Sequence, residues 1–465
     1  MPRSPHDIAS DAQIETVDVR KSPPGRNAIL AFVLPSLLGV LAFLTPIKVD
    51  GNWTILMGLL SDATTAFVGD AMNWVVLMLL WASVIGTVLA KFSRGIDKQS
   101  MVARLFMVAP VWVALRSIGA VMGTMTIFQF GPEMFWQAGT GGTVMRNLVF
   151  VIVPLFLFAG LLMPFLTDYG LMEFVGTMLK RVFRVLFTLP GRSAIDALAS
   201  WMSAAPVGVM ITIQQYITGH YMAREAAVIA TNFSVVSVPF ALVVANTVGV
   251  GHMFPTYYAA VILTGVVTAM IMPRIWPLSG FPDTPYRSIH PLREQPTSGG
   301  SLFREAIDLA TRRAARAIPV RQQLRASAGH ILDIWFGLVP AVIAVGGAGM
   351  MLANYTPVLQ WLTLPLVPLL EWLAIPEAAA AAPALIAGFL DMFLPALLVA
   401  NVEAEITRFI IGVISVTQLI YMSEVGILMV KCEIPLRFHH LVIIFLLRTI
   451  IGLPIVLAFA HWLVY

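Results

Sequence analysis

Nine apolar runs in this chain are long enough to cross a bilayer, and that leaves few folds open. A helical span needs about 20 mostly apolar residues, because hydrocarbon offers no partner to an open backbone N–H or C=O. The runs are about Ala28–Thr45, Ala71–Phe92, Leu105–Phe128, Leu148–Leu166, Glu225–Thr247, Tyr257–Met272, Ile331–Leu352, Ile406–Val430 and Phe438–Val464. Over 465 residues the chain is 58% hydrophobic and 12% charged, against roughly 45–50% and about 25% in soluble domains. An all-α polytopic membrane protein follows. A polar stretch of about 27 residues precedes the first run, with no small-residue cleavage site after that run, so the first run is expected to stay as an anchor. The single cysteine, Cys432, excludes an internal disulfide and a cysteine-held metal cluster.

One stretch between the runs has the wrong composition for a plain span. Pro190–Tyr221 carries Arg192, Asp196, Ser200, Ser203, the sequence Pro206-Val207-Gly208, Gln214, Gln215 and His220. Polar groups at membrane depth need partners or a water-filled cavity. Two half-helices meeting at a break and lining a binding site satisfy that need. Just before it, Leu171, Phe174, Val175, Met178, Val182 and Leu186 fall on one side of a helix, with Glu173, Lys180, Arg181 and Arg184 on the other. That pattern predicts an amphipathic helix over Gly170–Phe187, lying in the membrane interface.

Loop charge orients the chain. Lys and Arg collect in the N-terminal tail, Lys91–Arg104, Lys180–Arg192, Arg274–Arg325 and Lys431–Arg437. Short cytoplasmic loops are the basic ones, so these segments are expected inside. Only an even number of crossings can separate Lys180–Arg192 from Arg274–Arg325, and two runs already supply them. Residues 193–218 therefore enter and leave on one side, as a re-entrant hairpin.

Sliding the chain on itself by 186 positions aligns Phe150 with Phe336, Val153-Pro154 with Val339-Pro340, Gly160 with Gly346, Leu166 with Leu352, Tyr169 with Tyr355, Thr177 with Thr363 and Pro190 with Pro376. With small gaps, Pro206 matches Pro395, which makes Asp391–Pro395 a second break. Arg224 matches Arg408, and each is followed ten residues later by a polar residue, Ser234 and Gln418. By loop charge the two copies face opposite ways. Inverted repeats with paired broken helices are an architecture of secondary transporters. The expected domains are a disordered cytoplasmic tail (1–27), a three-helix region (28–145), a first repeat (146–273) with hairpin 193–218, an Arg-rich loop (274–330), and an inverted second repeat (331–465) with hairpin 379–401. About nine full spans plus two hairpins place the N-terminus in the cytoplasm and the C-terminus outside.

Candidate substrate- or ion-binding residues are those carrying polar groups into the hairpins and adjoining spans. They are Asp196, Ser200, Ser203, Gln214, Gln215, Asn232 and Ser234 in the first repeat, and Asp391, Asn401, Gln418, Ser423 and Glu424 in the second. Half-helix N-termini suit a polar or anionic group; unwound carbonyls and carboxylates suit a cation or a proton. The competing reading is that these groups bond to one another and to backbone, and Arg116 and Arg448 pair with such carboxylates or snorkel. No metal-binding spacing, cofactor motif or catalytic signature is present, which gives an enzyme no positive support.

The segments Tyr169–Gly176, Leu189–Asp196 and Arg224–Thr231, with Val207-Gly208 and Pro35–Gly39, resemble the YjiH-like bacterial membrane proteins of the nucleoside-recognition, or Gate-domain, superfamily. The resemblance implies the fold of concentrative nucleoside transporters, in which two hairpins and two unwound helices hold substrate and a cation drives uptake. On that basis the chain is expected to be an inner-membrane secondary transporter of a small polar solute (nucleoside-like, amino acid or peptide), coupled to H⁺ or Na⁺ and without a cofactor. Its expected partners are that solute and membrane lipids, with no nucleic acid, and self-association is left open. The alternative is a non-transporting assembly or signalling protein like the spore-maturation relatives, using Arg274–Arg325 to dock a partner.

Overall fold

A computed structural model describes residues 26–49, 52–93, 100–137, 139–202, 205–288 and 301–464. Most of the tail expected over 1–27 lies outside the described residues, as does the centre of the Arg-rich loop, residues 289–300. The chain opens with α1 (Arg26–Phe43), a short antiparallel pair β1 (Pro46–Val49) and β2 (Asn52–Ile55), and α2 (Leu56–Val68). Then come α3 (Ala71–Phe92), α4 (Met101–Phe106) and α5 (Pro110–Phe128). Pro110 enters at the start of α5, where its missing N–H costs no helical bond. The run expected from Leu105 is accordingly divided there.

The long helix α6 (Gly141–Thr167) contains a π-helical stretch at Val144–Val149. It is followed by α7 (Leu171–Leu186), the amphipathic helix. Next are α8 (Ser193–Met202), α9 (Ala205–Ile217), α10 (Ala223–Asn232), α11 (Val238–Thr247) and α12 (Phe254–Ile271). The Arg-rich segment supplies α13 (Leu302–Ala315), which ends before Pro319, and α14 (Val320–Asp333). A π-helical stretch at Ile334–Leu338 joins α14 to α15 (Val339–Tyr355). The second half continues with α16 (Val358–Thr363), α17 (Val367–Trp372), α18 (Ala378–Ala387) and α19 (Leu394–Val399). It closes with α20 (Glu405–Thr417), α21 (Ile427–Lys431) and α22 (Phe438–Leu463).

Among the described residues, seven helices are long and apolar enough to cross a membrane: Arg26–Phe43, Ala71–Phe92, Pro110–Phe128, Gly141–Thr167, Gly251–Gly280, Arg321–Leu352 and Phe438–Trp462. The chain is a polytopic membrane protein. The other two expected spans, Glu225–Thr247 and Ile406–Val430, are not continuous helices. Each is split into two, α10 with α11 and α20 with α21.

Small residues let the long helices approach closely, as membrane packing requires. A Cβ on Gly119 of α5 would lie 2.0 Å from the Pro340 carbonyl oxygen of α15, and one on Gly39 of α1 would lie 2.9 Å from the Leu166 nitrogen of α6. Polar side chains add bonds across helices: Ser83 of α3 donates to the Phe336 carbonyl at 2.6 Å, and Trp335 donates to the Val153 carbonyl at 3.0 Å.

The amphipathic helix has a partner. α13 packs along α7 and α1, with Ala310 and Ala314 buried against Phe32 and Phe174. Lys180 meets Glu305 at 2.9 Å, and Arg313 reaches Asp168 at 3.1 Å and Glu173 at 3.6 Å. The charged face of α7 is thus engaged by the Arg-rich segment of the same chain.

Candidate functional site

The two halves carry the same series of elements: a long helix with a π-helical stretch, a helical hairpin, and a helix broken in the middle. In the first half α8 and α9 fold back on each other. The Tyr221 hydroxyl, just beyond α9, donates to the Asp196 carboxylate in the first turn of α8 and ties the two ends together. In the second half α18 and α19 do the same. There the Ala404 N–H donates to Glu377 at 2.8 Å, and the Thr407 hydroxyl donates to the Pro376 carbonyl at 2.7 Å. The second arm of each hairpin opens on a proline in its second position, Pro206 and Pro395.

The broken helices match as closely. α10 stops at Asn232 and the chain is extended through Phe233–Ser237 before α11 starts. α20 stops at Thr417 and the chain runs irregularly through Gln418–Tyr421 into a π-helical turn, Met422–Gly426, ahead of α21. Ser234 and Gln418, aligned in the repeat, both fall in the breaks. The packing is crossed between the halves. α9 lies against α10 of its own half and against the second part of the other broken helix; α19 lies against α20 and against α11.

One side chain connects the two breaks. Arg448, in the middle of α22 and 2% exposed, donates from Nη1 to Asn232 Oδ1 at 2.6 Å. Its Nε and Nη2 donate to the Thr417 carbonyl at 3.0 and 2.7 Å. It therefore binds the last residue of both first half-helices, through the side-chain amide at Asn232 and through the backbone carbonyl at Thr417, which would otherwise lack a helical partner. A guanidinium suits this work because its donors are spread over a rigid plane. Arg448 pairs with an amide and a carbonyl, and no carboxylate bridges to it among the described residues. The other buried arginine, Arg116, donates to Thr87 at 2.8 Å and to the Leu105 carbonyl at 2.9 Å.

The tip of the second hairpin closes on the second break. The Met422 and Ser423 N–H groups donate to the Phe389 and Leu390 carbonyls at 2.9 and 3.0 Å. Asp391 accepts from the Phe393 N–H at 2.9 Å, and Ser423 stands beside it. Gln418 donates to the Leu385 carbonyl and to Thr449. Ser423 is a hydrogen-bond neighbour of the Asp391 carboxyl, and Gln418 Oε1 is buried without a hydrogen-bond partner among the described residues.

A cavity of about 410 Å³ begins at these elements. Val236 and Ser237 of the first break, Phe240 of α11, Met392 at the second hairpin's tip and Ile211 of α9 form its inner wall. It extends between α6 and α14 to Asp168, Gln323, His330 and Asp333, near α7 and α13. Gln323 accepts from the Tyr169 hydroxyl at 3.1 Å, while its Nε2 is buried without a partner among the described residues.

Of the candidates read from the sequence, Asn232, Ser234, Asp391, Gln418 and Ser423 gather at the breaks and the second tip. Asn232 and Ser234 also bond locally, to the Val228 and Ala230 carbonyls. Asp196 is 7% exposed and holds the base of its hairpin. Gln214, Gln215 and Asn401 lie toward the ends of the hairpins, Gln214 and Asn401 exposed. The side chains of Ser200 and Glu424 and the whole of Ser203 lie outside the described residues. Ser237, also among the polar residues that the sequence carries into the first repeat, lines the cavity, whereas sequence reasoning left out Arg448 as a member of the site, together with Gln323 and Met392. An arginine near the middle of a 26-residue apolar helix was the available signal for the first.

The description "Nucleoside recognition", that of the Gate family, matches residues 149–251, which contain the first hairpin and first broken helix. The protein BpOF4_10220 of Alkalihalophilus pseudofirmus, described as uncharacterized, is 46% identical over 435 residues, covering 93% of this chain and 94% of its own. Two solved structures share 15% identity with this chain. CNTnw in an inward-facing substrate-bound state covers 88% of this chain and 98% of its own at a TM-score of 0.44; a doubly substituted CNTnw in an outward-facing state covers 94% and 99% at 0.41. At 46% identity over 93% of its length the chain belongs to the same family as the A. pseudofirmus protein, and within it residues 149–251 carry a nucleoside-recognition Gate domain.

Proposed function

We propose that this protein is a secondary transporter that carries a small polar solute across a plasma membrane, coupled to H⁺ or Na⁺. The observation that carries this reading is a cavity of about 410 Å³ lined by the first break and by both hairpins, in a fold whose two broken helices are joined through Arg448. That volume falls in the range of small-molecule sites. Breaks in apolar helices present backbone groups and dipole ends to a solute while neighbouring helices exclude lipid. The mixed lining, apolar at Phe240 and Met392 and polar at Ser237, Gln323 and His330, suits a solute with a flat or aliphatic body and hydrogen-bonding edges. The Gate-family description puts nucleosides first among such solutes. Opposite orientation of the halves, with the N-terminus in the cytoplasm and the C-terminus outside, accords with the basic segments of the sequence.

The test is uptake into proteoliposomes of radiolabelled nucleosides, amino acids and dipeptides, each under an imposed H⁺ or Na⁺ gradient. One solute class should accumulate under one gradient, and Met392→Trp, which fills the inner end of the cavity, should abolish accumulation without lowering thermal stability. Failure of every class under both gradients, with folded protein confirmed, would sink the transporter reading.

A further inference from the structure

A second opening lies on the other face of α14. A groove of about 710 Å³ runs between that helix and α4, lined by Ser100, Arg104 and Met107 on one side and Gln322, Arg325 and Gly329 on the other. Helical periodicity separates the two surfaces of α14: Gln323, Ser327 and His330 face the solute cavity, whereas Gln322, Arg325 and Gly329 face the groove. A Cβ on Gly329 would lie 2.7 Å from Arg104 Nη2, so the guanidinium rests directly on the bare helix backbone. Neither arginine has a carboxylate partner among the described residues. Met101 and Met107 of the α4 region line the groove beside the pair, and Met107 is exposed.

Two guanidiniums without carboxylates, in a groove between helices that border a bilayer and flanked by apolar side chains, match one ligand chemistry. Guanidinium donors fit phosphate oxygens, and basic pockets between membrane helices take anionic lipid headgroups. We propose that this groove seats the phosphate headgroup of an anionic phospholipid, with Arg104 and Arg325 on the phosphate and the acyl chains along Met101 and Met107. The apolar flank favours a lipid over a soluble phosphate. Because α14 walls both the groove and the solute cavity, an occupied groove braces one side of the cavity.

The test is thermal stability of the detergent-purified protein titrated with phosphatidylglycerol, cardiolipin, phosphatidylcholine, inorganic phosphate or glycerol phosphate. The anionic lipids should raise the melting temperature by several degrees. Arg104→Gln with Arg325→Gln should weaken half-saturation at least fivefold, and lysine at both positions should retain part of the effect. Arg437→Gln, at the start of α22, should leave it unchanged. If the double glutamine variant does not fold, Gln322→Glu, which sets a carboxylate in the groove, should weaken the same lipids. Equal protection by phosphatidylcholine, or undiminished protection in the variants, overturns the proposal. Full protection by inorganic phosphate or glycerol phosphate assigns the site to a soluble anion and overturns the lipid.

Discussion

Arg448 and Asn232 share a hydrogen bond of 2.6 Å across 216 residues of sequence. The same guanidinium holds the Thr417 carbonyl, so one side chain in the last helix joins the last residues of both first half-helices. Removing it leaves a buried amide oxygen and a buried carbonyl short of charged donors. Hydrogen bonds to charged groups contribute roughly 1.5–3 kcal/mol each. Arg448→Gln should therefore cost about 3 kcal/mol or more and abolish solute uptake. Asn232→Ala should cost about 1–3 kcal/mol and weaken uptake less. Thermal melts and uptake assays on the two variants check this, and wild-type uptake by folded Arg448→Gln would remove the clamp from the site.

The contact between α5 and α15 gives a purely steric test. Gly119→Ala places a methyl 2.0 Å from the Pro340 carbonyl oxygen, and backbone on both sides leaves little room to yield. Overpacking of this kind costs about 1–3 kcal/mol. Gly265→Ala in α12, where nothing lies within 4 Å of the added methyl, should be neutral or slightly stabilising. Melting temperatures of the pair should move apart.

The base of the first hairpin is open to a double-mutant cycle. Tyr221→Phe strands the buried Asp196 carboxylate, and Asp196→Ala strands the hydroxyl. Each should lose about 1–3 kcal/mol. The double variant should lose less than the sum of the two, because contacting residues couple. Strict additivity would mean that the pair does not hold the hairpin ends together.

Docking of α13 on α7 should depend on pH through Glu173. Burial pushes this carboxyl above its ordinary value of 4.5, while a backbone hydrogen bond and Arg313 pull it part of the way back and Asp168 opposes them. A raised carboxyl keeps its proton in the folded state at a pH where the unfolded chain has already released it. Its contribution is therefore fully favourable below 4.5 and is lost as pH rises through the folded value. Hydrogen exchange in α13 should slow as pH falls from neutral into that window, after correction for intrinsic rates. Glu173→Gln should remove the dependence.

The helical plan was legible because span length depends on composition alone. The hairpins were legible from a polar load that lipid would reject, and the element series from matched prolines, Pro206 with Pro395. The breaks in the fifth and eighth runs were not. Val235, Val236 and Val238 around the first break are as apolar as the helices beside it, so the run from Glu225 to Thr247 reads as continuous. The last residue of α10 is held by a tertiary contact from a helix more than two hundred residues away, which the local sequence does not show. Asp196 shows the opposite case. A carboxylate in an apolar segment signals a polar partner, and only the fold reveals that the partner is Tyr221. His330 and Gln323 sit in a helix too polar to read as membrane lining, yet that helix forms the cavity's outer wall.

The clamp also imposes a timetable. Asn232 leaves the ribosome 216 residues ahead of Arg448, and at about 5–20 residues per second that interval is roughly 10–40 s. Through all of it the buried Asn232 amide exists without the charged donor that binds it. The first half of the protein is thus finished from the far end of the chain, and a message truncated before Arg448 yields a membrane-inserted product whose earliest-made half has never been complete.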